Sequence, residues 1–174
     1  MRYLKLFENF FGDETKEKIL RFLKSGDFSL TIQLCNGQNI DFDQFIYEYA
    51  KTKNPDLLED DYINIYVNIS NDYIKSEYIC IRPKIFCNDG FSLSVQGAYG
   101  SYSWPRKDKA NHYSEMEIGY PSEKEPILTE YGEDQFEEDS DEYSDIYPYV
   151  PIELINKVLL KHGGIDYEKT LGQK

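Results

Sequence analysis

The chain has 174 residues and a net charge of −13, a length that fits one domain with a core large enough to need no staples. Cys35, Cys80 and Cys87 form an odd set without a C-x-x-C pair, which argues for reduced, buried thiols in a cytoplasmic protein and against a disulfide framework. Met1 to Phe11 lack a signal-peptide pattern and no apolar run is long enough to span a bilayer, so the expectation is no membrane association.

In chain order, residues 13 to 25 read as a helix. Asp13 is placed to cap it, Ile19, Leu20 and Leu23 share a face, and Gly26 sits at the C-terminal stop. Phe28 to Leu34 alternate apolar and polar residues as a strand does, and Asn36-Gly37 offers a tight hairpin turn. Asp41 and Gln44 resemble a capping box for a second helix, with Phe42, Phe45, Ile46 and Tyr49 at helical spacing and Asn54-Pro55 at its end. From Tyr62, Ile63, Ile65, Val67 and Ile69 alternate with polar or aromatic residues, which predicts a strand. Tyr78 to Phe86 and Phe91 to Gln96 predict a hairpin through Asn88-Asp89-Gly90, and Pro83 places the first of these strands at an edge or bulge. Tyr113 to Tyr120 predict a further strand, with Glu115 and Glu117 on the polar face. Pro151 opens a C-terminal helix whose buried face is Ile152, Ile155, Val158 and Leu159, closed by Gly163-Gly164. Tyr167 to Lys174 read as a frayed tail.

The fold expected is therefore α+β, with an antiparallel sheet of four to six strands, two N-terminal helices, one C-terminal helix and an exposed acidic loop. A single domain is expected, with residues 1–60 as a candidate N-terminal subdomain and 61–166 as the sheet and C-terminal helix.

Negative charge is concentrated in one place. Glu133, Asp134, Glu137, Glu138, Asp139, Asp141, Glu142 and Asp145 follow one another with no lysine or arginine between them, and residues 123 to 145 supply −10 of the total −13. A solvated loop is the plain interpretation. The functional one is an acidic surface aimed at a basic nucleic-acid-binding partner, since such a field speeds association with cationic grooves and repels nucleic acid. Direct DNA binding is accordingly not expected. Tyr143 and Tyr147 belong to the candidate contact set with these acids, and Tyr131 and Tyr149 would add contact area.

Signatures of catalysis are sparse. His112 and His162 read as a solvated side chain and a helix-end residue, and no G-x-S-x-G, P-loop or G-x-G-x-x-G spacing occurs. A calcium loop starting at Asp139 fails, because its sixth and twelfth positions are Ser144 and Val150. No metal, cofactor or enzymatic activity is expected; Glu115 and Glu117 are the carboxylates that a metal-dependent ribonuclease would use. Arg106, Lys107 and Lys109 follow Tyr102 and Trp104. They either contact RNA or pair with the acidic stretch, and Trp104 is either a core anchor or an exposed contact residue.

Several segments of the second half carry a resemblance. Phe91-Ser92-Leu93-Ser94-Val95-Gln96, Trp104-Pro105-Arg106, Glu117-Ile118-Gly119-Tyr120-Pro121-Ser122, Tyr149-Val150-Pro151-Ile152-Glu153 and Lys161-His162-Gly163-Gly164-Ile165 resemble small acidic proteins of phages and integrative elements of Gram-positive bacteria. The resemblance spans residues 91 to 165 and implies anti-defence activity in the host cytoplasm. The expected function is an anti-CRISPR protein that binds a Cas9-type nuclease and blocks nucleic-acid or PAM binding by acidic mimicry. The alternatives are an immunity protein against a basic toxin nuclease and a ribonuclease acting on guide RNA.

Overall fold

A computed structural model describes residues 32–33, 39–40, 42–73, 81–132 and 146–172. The expected helix at 13–25, the acidic loop at 133–145, Cys35 and Cys80 lie outside the described residues. The elements are β1 (Ile32–Gln33), β2 (Asn39–Ile40), α1 (Phe42–Lys53), α2 (Tyr62–Tyr73), β3 (Ile85–Phe86), β4 (Ser92–Gln96), β5 (Glu115–Gly119), a 3-10 helix (Pro126–Tyr131), β6 (Ile146–Pro151), α3 (Ile152–Lys161) and α4 (Tyr167–Leu171). β1 and β2 pair antiparallel, on either side of the expected Asn36-Gly37 turn. The main sheet is an antiparallel meander in the order β3-β4-β5-β6, so the architecture is α+β. No helix among the described residues is long and apolar enough to cross a membrane.

The sheet follows from its residues. In β4 and β5, Leu93, Val95, Met116 and Ile118 are buried while Ser94, Gln96, Glu115 and Glu117 are half-buried, the alternation of a sheet with one core face. Gly90, at φ +98°, supplies the left-handed turn conformation between β3 and β4. Glycine is required at Gly97, because a Cβ there would stand 2.8 Å from Met116 Cε and from the Tyr113 ring.

Tyr62–Tyr73 is a helix and not the strand its alternation predicts. Ile63, Ile65, Tyr66, Val67, Asn68, Ile69 and Ser70 are all buried, so residues of both parities face protein and the two-residue period marks no face. A helix buried nearly all round carries little amphipathic signal. Asn156 of α3 fixes its start: its Oδ1 accepts the Ile63 N–H at 3.3 Å, and its Nδ2 donates to Asp60 O at 3.0 Å. α1 and α3 both pack on α2.

Two more expectations are corrected at the C-terminal end. β6 is a strand where only a helix start is expected; Pro148 and Pro151, which argue against a central strand, are accommodated because β6 lies at the sheet edge. The supposed frayed tail is helical over Tyr167–Leu171, capped by Asp166 through the Lys169 N–H at 2.9 Å. Tyr167, Thr170 and Leu171 are buried, and Thr170 Oγ1 accepts the Phe86 N–H at 3.0 Å, covering the free edge of β3. α3 buries Ile152, Ile155, Val158 and Leu159 as its spacing requires, and Gly163 and Gly164 end it at φ +78° and +84°.

Candidate interaction surface

β6 is where the chain returns from the acidic stretch, and its pairing with β5 is irregular. Met116 pairs with Val150 and Ile118 with Tyr147, so Glu117 stands opposite two residues, Pro148 and Tyr149. This is a β-bulge, a device that re-aims side chains at sheet edges. Tyr149 occupies it at φ +51°, a left-handed conformation that a bulky residue rarely takes.

The bulge brings Tyr149 against Tyr102, and Trp104 lies two residues further along the same connection. The Tyr149 N–H donates to Tyr102 O at 3.1 Å, and the two rings meet edge to face with centroids 5.8 Å apart. Tyr102 N–H in turn donates to Glu117 Oε2 at 3.0 Å. Trp104 bridges Glu115 in antiparallel fashion, its N–H donating to Glu115 O at 3.0 Å and its carbonyl accepting the Ser114 N–H at 2.8 Å. Trp104 is 62% exposed, which makes it a surface residue and not a core anchor. Tyr113, buried beneath, pins the rest of this connection: its Oη lies 2.7 and 2.6 Å from the carbonyl oxygens of Gly97 and Lys107 and accepts the Ala110 N–H at 3.1 Å.

Of the candidate contact residues, Glu133, Asp134, Glu137, Glu138, Asp139, Asp141, Glu142, Tyr143 and Asp145 lie outside the described residues. Tyr147 requires correction: it is 2% exposed, with its ring in the core, and offers no contact surface. The outward-facing tyrosine of β6 is Tyr149. Arg106, Lys107 and Lys109 are exposed, with Arg106 Nε donating to Tyr99 O at 3.2 Å. His112 is exposed. Glu115 and Glu117 are half-buried and engaged as above, and among the described residues no group of three or more histidine, cysteine or acidic side chains could hold a metal ion.

A second polar cluster lies where the chain leaves for the acidic stretch. Glu125, 2% exposed, caps the 3-10 helix through the Ile127 N–H and receives two hydrogen bonds of 2.9 Å from Lys161 Nζ. His162 lies between two carboxylates, with Nδ1 2.7 Å from Asp89 Oδ2 and Nε2 2.9 Å from Glu125 Oε2. Both ring nitrogens therefore act as donors, which only the imidazolium can do. Burial by itself would lower the His162 pKa, but the hydrogen bonds it donates to Glu125 and Asp89 outweigh it and raise the value. Burial likewise pushes Glu125 up, and the bonds from Lys161 and His162 prevail and lower it. Asp89 is lowered first by the Phe91 N–H and then by His162. The His162 ring also stacks on Phe91 at 3.8 Å. Burial and the nearby Asp89 charge push the Cys87 thiol up to about 12, so it is no nucleophile.

The sequence points separately to Tyr102, Trp104 and Tyr149 but not to the contact of Tyr102 with Tyr149, and it marks His162 as a simple helix end. The Asn88-Asp89-Gly90 turn was the available signal for Asp89; nothing local marks Glu125 as its counterpart. No protein-family model, curated protein or solved structure matches the chain.

Proposed function

We propose that this protein is a non-catalytic anti-defence inhibitor that binds a basic nucleic-acid-processing enzyme, a Cas9-type nuclease, and occupies its nucleic-acid groove. The observation that carries this reading is the charge distribution: residues 133 to 145 hold eight carboxylates and no lysine or arginine, −8 of the chain's −13. A guide-dependent nuclease holds its heteroduplex in a positively charged channel and reads its PAM with arginines, so a dense carboxylate stretch competes for the same surface. A kinship of residues 91 to 165 with small acidic proteins of phages and integrative elements is part of the same proposal.

The frame around the acidic stretch is consistent with this role. The described chain stops at Gly132, after the 3-10 helix, and resumes at Ile146 in β6, and these two elements pack against each other. Both attachment points are thus anchored in the folded body, one by the Glu125 cluster and the other by pairing of Ile146 with Gly119.

Affinity capture from nuclease-treated bacterial lysate tests this, comparing the natural chain with one in which the eight acids of 133 to 145 are changed to Asn and Gln. The expected result is a basic nucleic-acid enzyme retained at low salt, released at high salt and lost from the variant. Identical retention by both chains would refute the reading.

A further inference from the structure

We infer that the ring platform of Tyr102, Trp104 and Tyr149 is a docking surface for arginine side chains of a basic partner protein. The inference rests on the proposed reading that the partner is basic, and it adds which cations are recognised and where. Isolated exposed rings are ordinary, whereas these three share a short, hydrogen-bonded length of backbone. Tyr102 is 42% exposed and Tyr149 37%, and their edge-to-face contact holds both in place. The Tyr149 backbone is kept in a left-handed conformation at an edge-strand bulge, which directs its side chain toward Tyr102. The Tyr102–Tyr149 pair is therefore held in place before any partner arrives, and the Trp104 backbone is fixed by its bridge to Glu115, which lowers the ordering cost on binding.

Its chemistry selects the occupant. The Glu117 carboxylate accepts the Tyr102 N–H and Glu115 is the bridge partner of Trp104, so two acidic residues neighbour the ring-bearing backbone. A guanidinium is planar, weakly hydrated and able to stack on a ring while donating to carboxylates, whereas an ammonium is a strongly hydrated point charge. Tyr149 stands three residues from Ile146 on the same strand, so the platform lies beside one attachment of the acidic stretch. Arg106, Lys107 and Lys109 on the same connection would favour a nucleic-acid strand stacked on the rings. The chain's charge of −13 opposes that occupant.

The test measures fluorescence anisotropy of labelled nona-arginine, nona-lysine and a twelve-nucleotide oligouridylate with the full chain. The natural chain is expected to prefer nona-arginine over nona-lysine by about fivefold. Trp104→Leu and Tyr149→Leu, each at an exposed ring, should bring that preference close to parity. Neutralising the eight acids should weaken both peptides together and leave the preference intact. A neutralised chain that binds as before would count against the acidic reading alone. Equal affinity for the two peptides in the natural chain, or a preference untouched by both ring substitutions, would overturn the inference. Trp104-dependent binding of oligouridylate without an arginine preference would do so as well, and would assign the platform to nucleic acid.

Discussion

His162 illustrates how a single side chain ties distant segments together. Its carboxylate partners lie 37 and 73 residues away in sequence, and Glu125 is buried enough that its charge needs both His162 and Lys161. Replacing His162 with Leu should cost about 3 kcal/mol in urea denaturation, the scale for breaking a buried ion pair. The pH dependence follows from linkage. Because the folded pKa of His162 is raised, its stabilisation is complete below the ordinary value of 6.5 and is lost as pH rises through the folded value. Glu125 is lowered, so its stabilisation is present above the ordinary 4.5 and is lost as pH falls through the folded value. The cluster should therefore stabilise most between those two ordinary values, and His162→Leu should abolish the decline above 6.5. Gly164 makes a separate point about shape. It sits at φ +84°, and a Cβ there would stand 2.6 Å from the Tyr62 ring. Gly164→Ala should destabilise by about 2 kcal/mol, whereas Gly100→Ala, with open space around it, should be close to neutral.

The secondary elements differ in how far local pattern dictates them. α1, α3, β4 and β5 each bury one face against a more polar one, so their periods can be read from sequence. α2 cannot be read that way, because Ile65 and Tyr66 are both 1% exposed although they are neighbours. A strand would send one of them to the opposite face of the sheet. Ile65→Ala and Tyr66→Ala should each cost about 3 kcal/mol, and a thermal or urea series in which only Ile65 mattered would contradict the helix. Tyr66 also donates from its hydroxyl to Pro83 O at 2.6 Å, which adds a buried hydrogen bond to its loss. β6 was hidden by its prolines, and α4 by its shortness, since a five-residue helix owes its existence to docking on β3. The platform was legible only in part. Trp104 and its neighbours can be seen in the sequence, but the meeting of Tyr149 with Tyr102 depends on a bulge that register alone decides. The acidic stretch, by contrast, announces itself by composition.

For the molecule as a whole, charge and shape would act at different stages of the proposed binding. A concentrated acidic stretch acts at long range and chiefly on the association rate, whereas rings act at contact and chiefly on dissociation. Neutralising the eight acids should therefore slow association about tenfold or more at low ionic strength and flatten its salt dependence, while Trp104→Leu should speed dissociation; stopped-flow or surface-based kinetics separates the two. The measurement that bears most directly on the central claim is competition between this protein and PAM-containing duplex DNA for a guide-loaded Cas9-type nuclease, read by displacement of labelled duplex. The account predicts that the natural chain displaces the duplex at stoichiometric concentration, that rising salt weakens it, and that the neutralised variant fails to displace. Displacement of the duplex by the neutralised variant as effectively as by the natural chain, or no displacement by either, would contradict it.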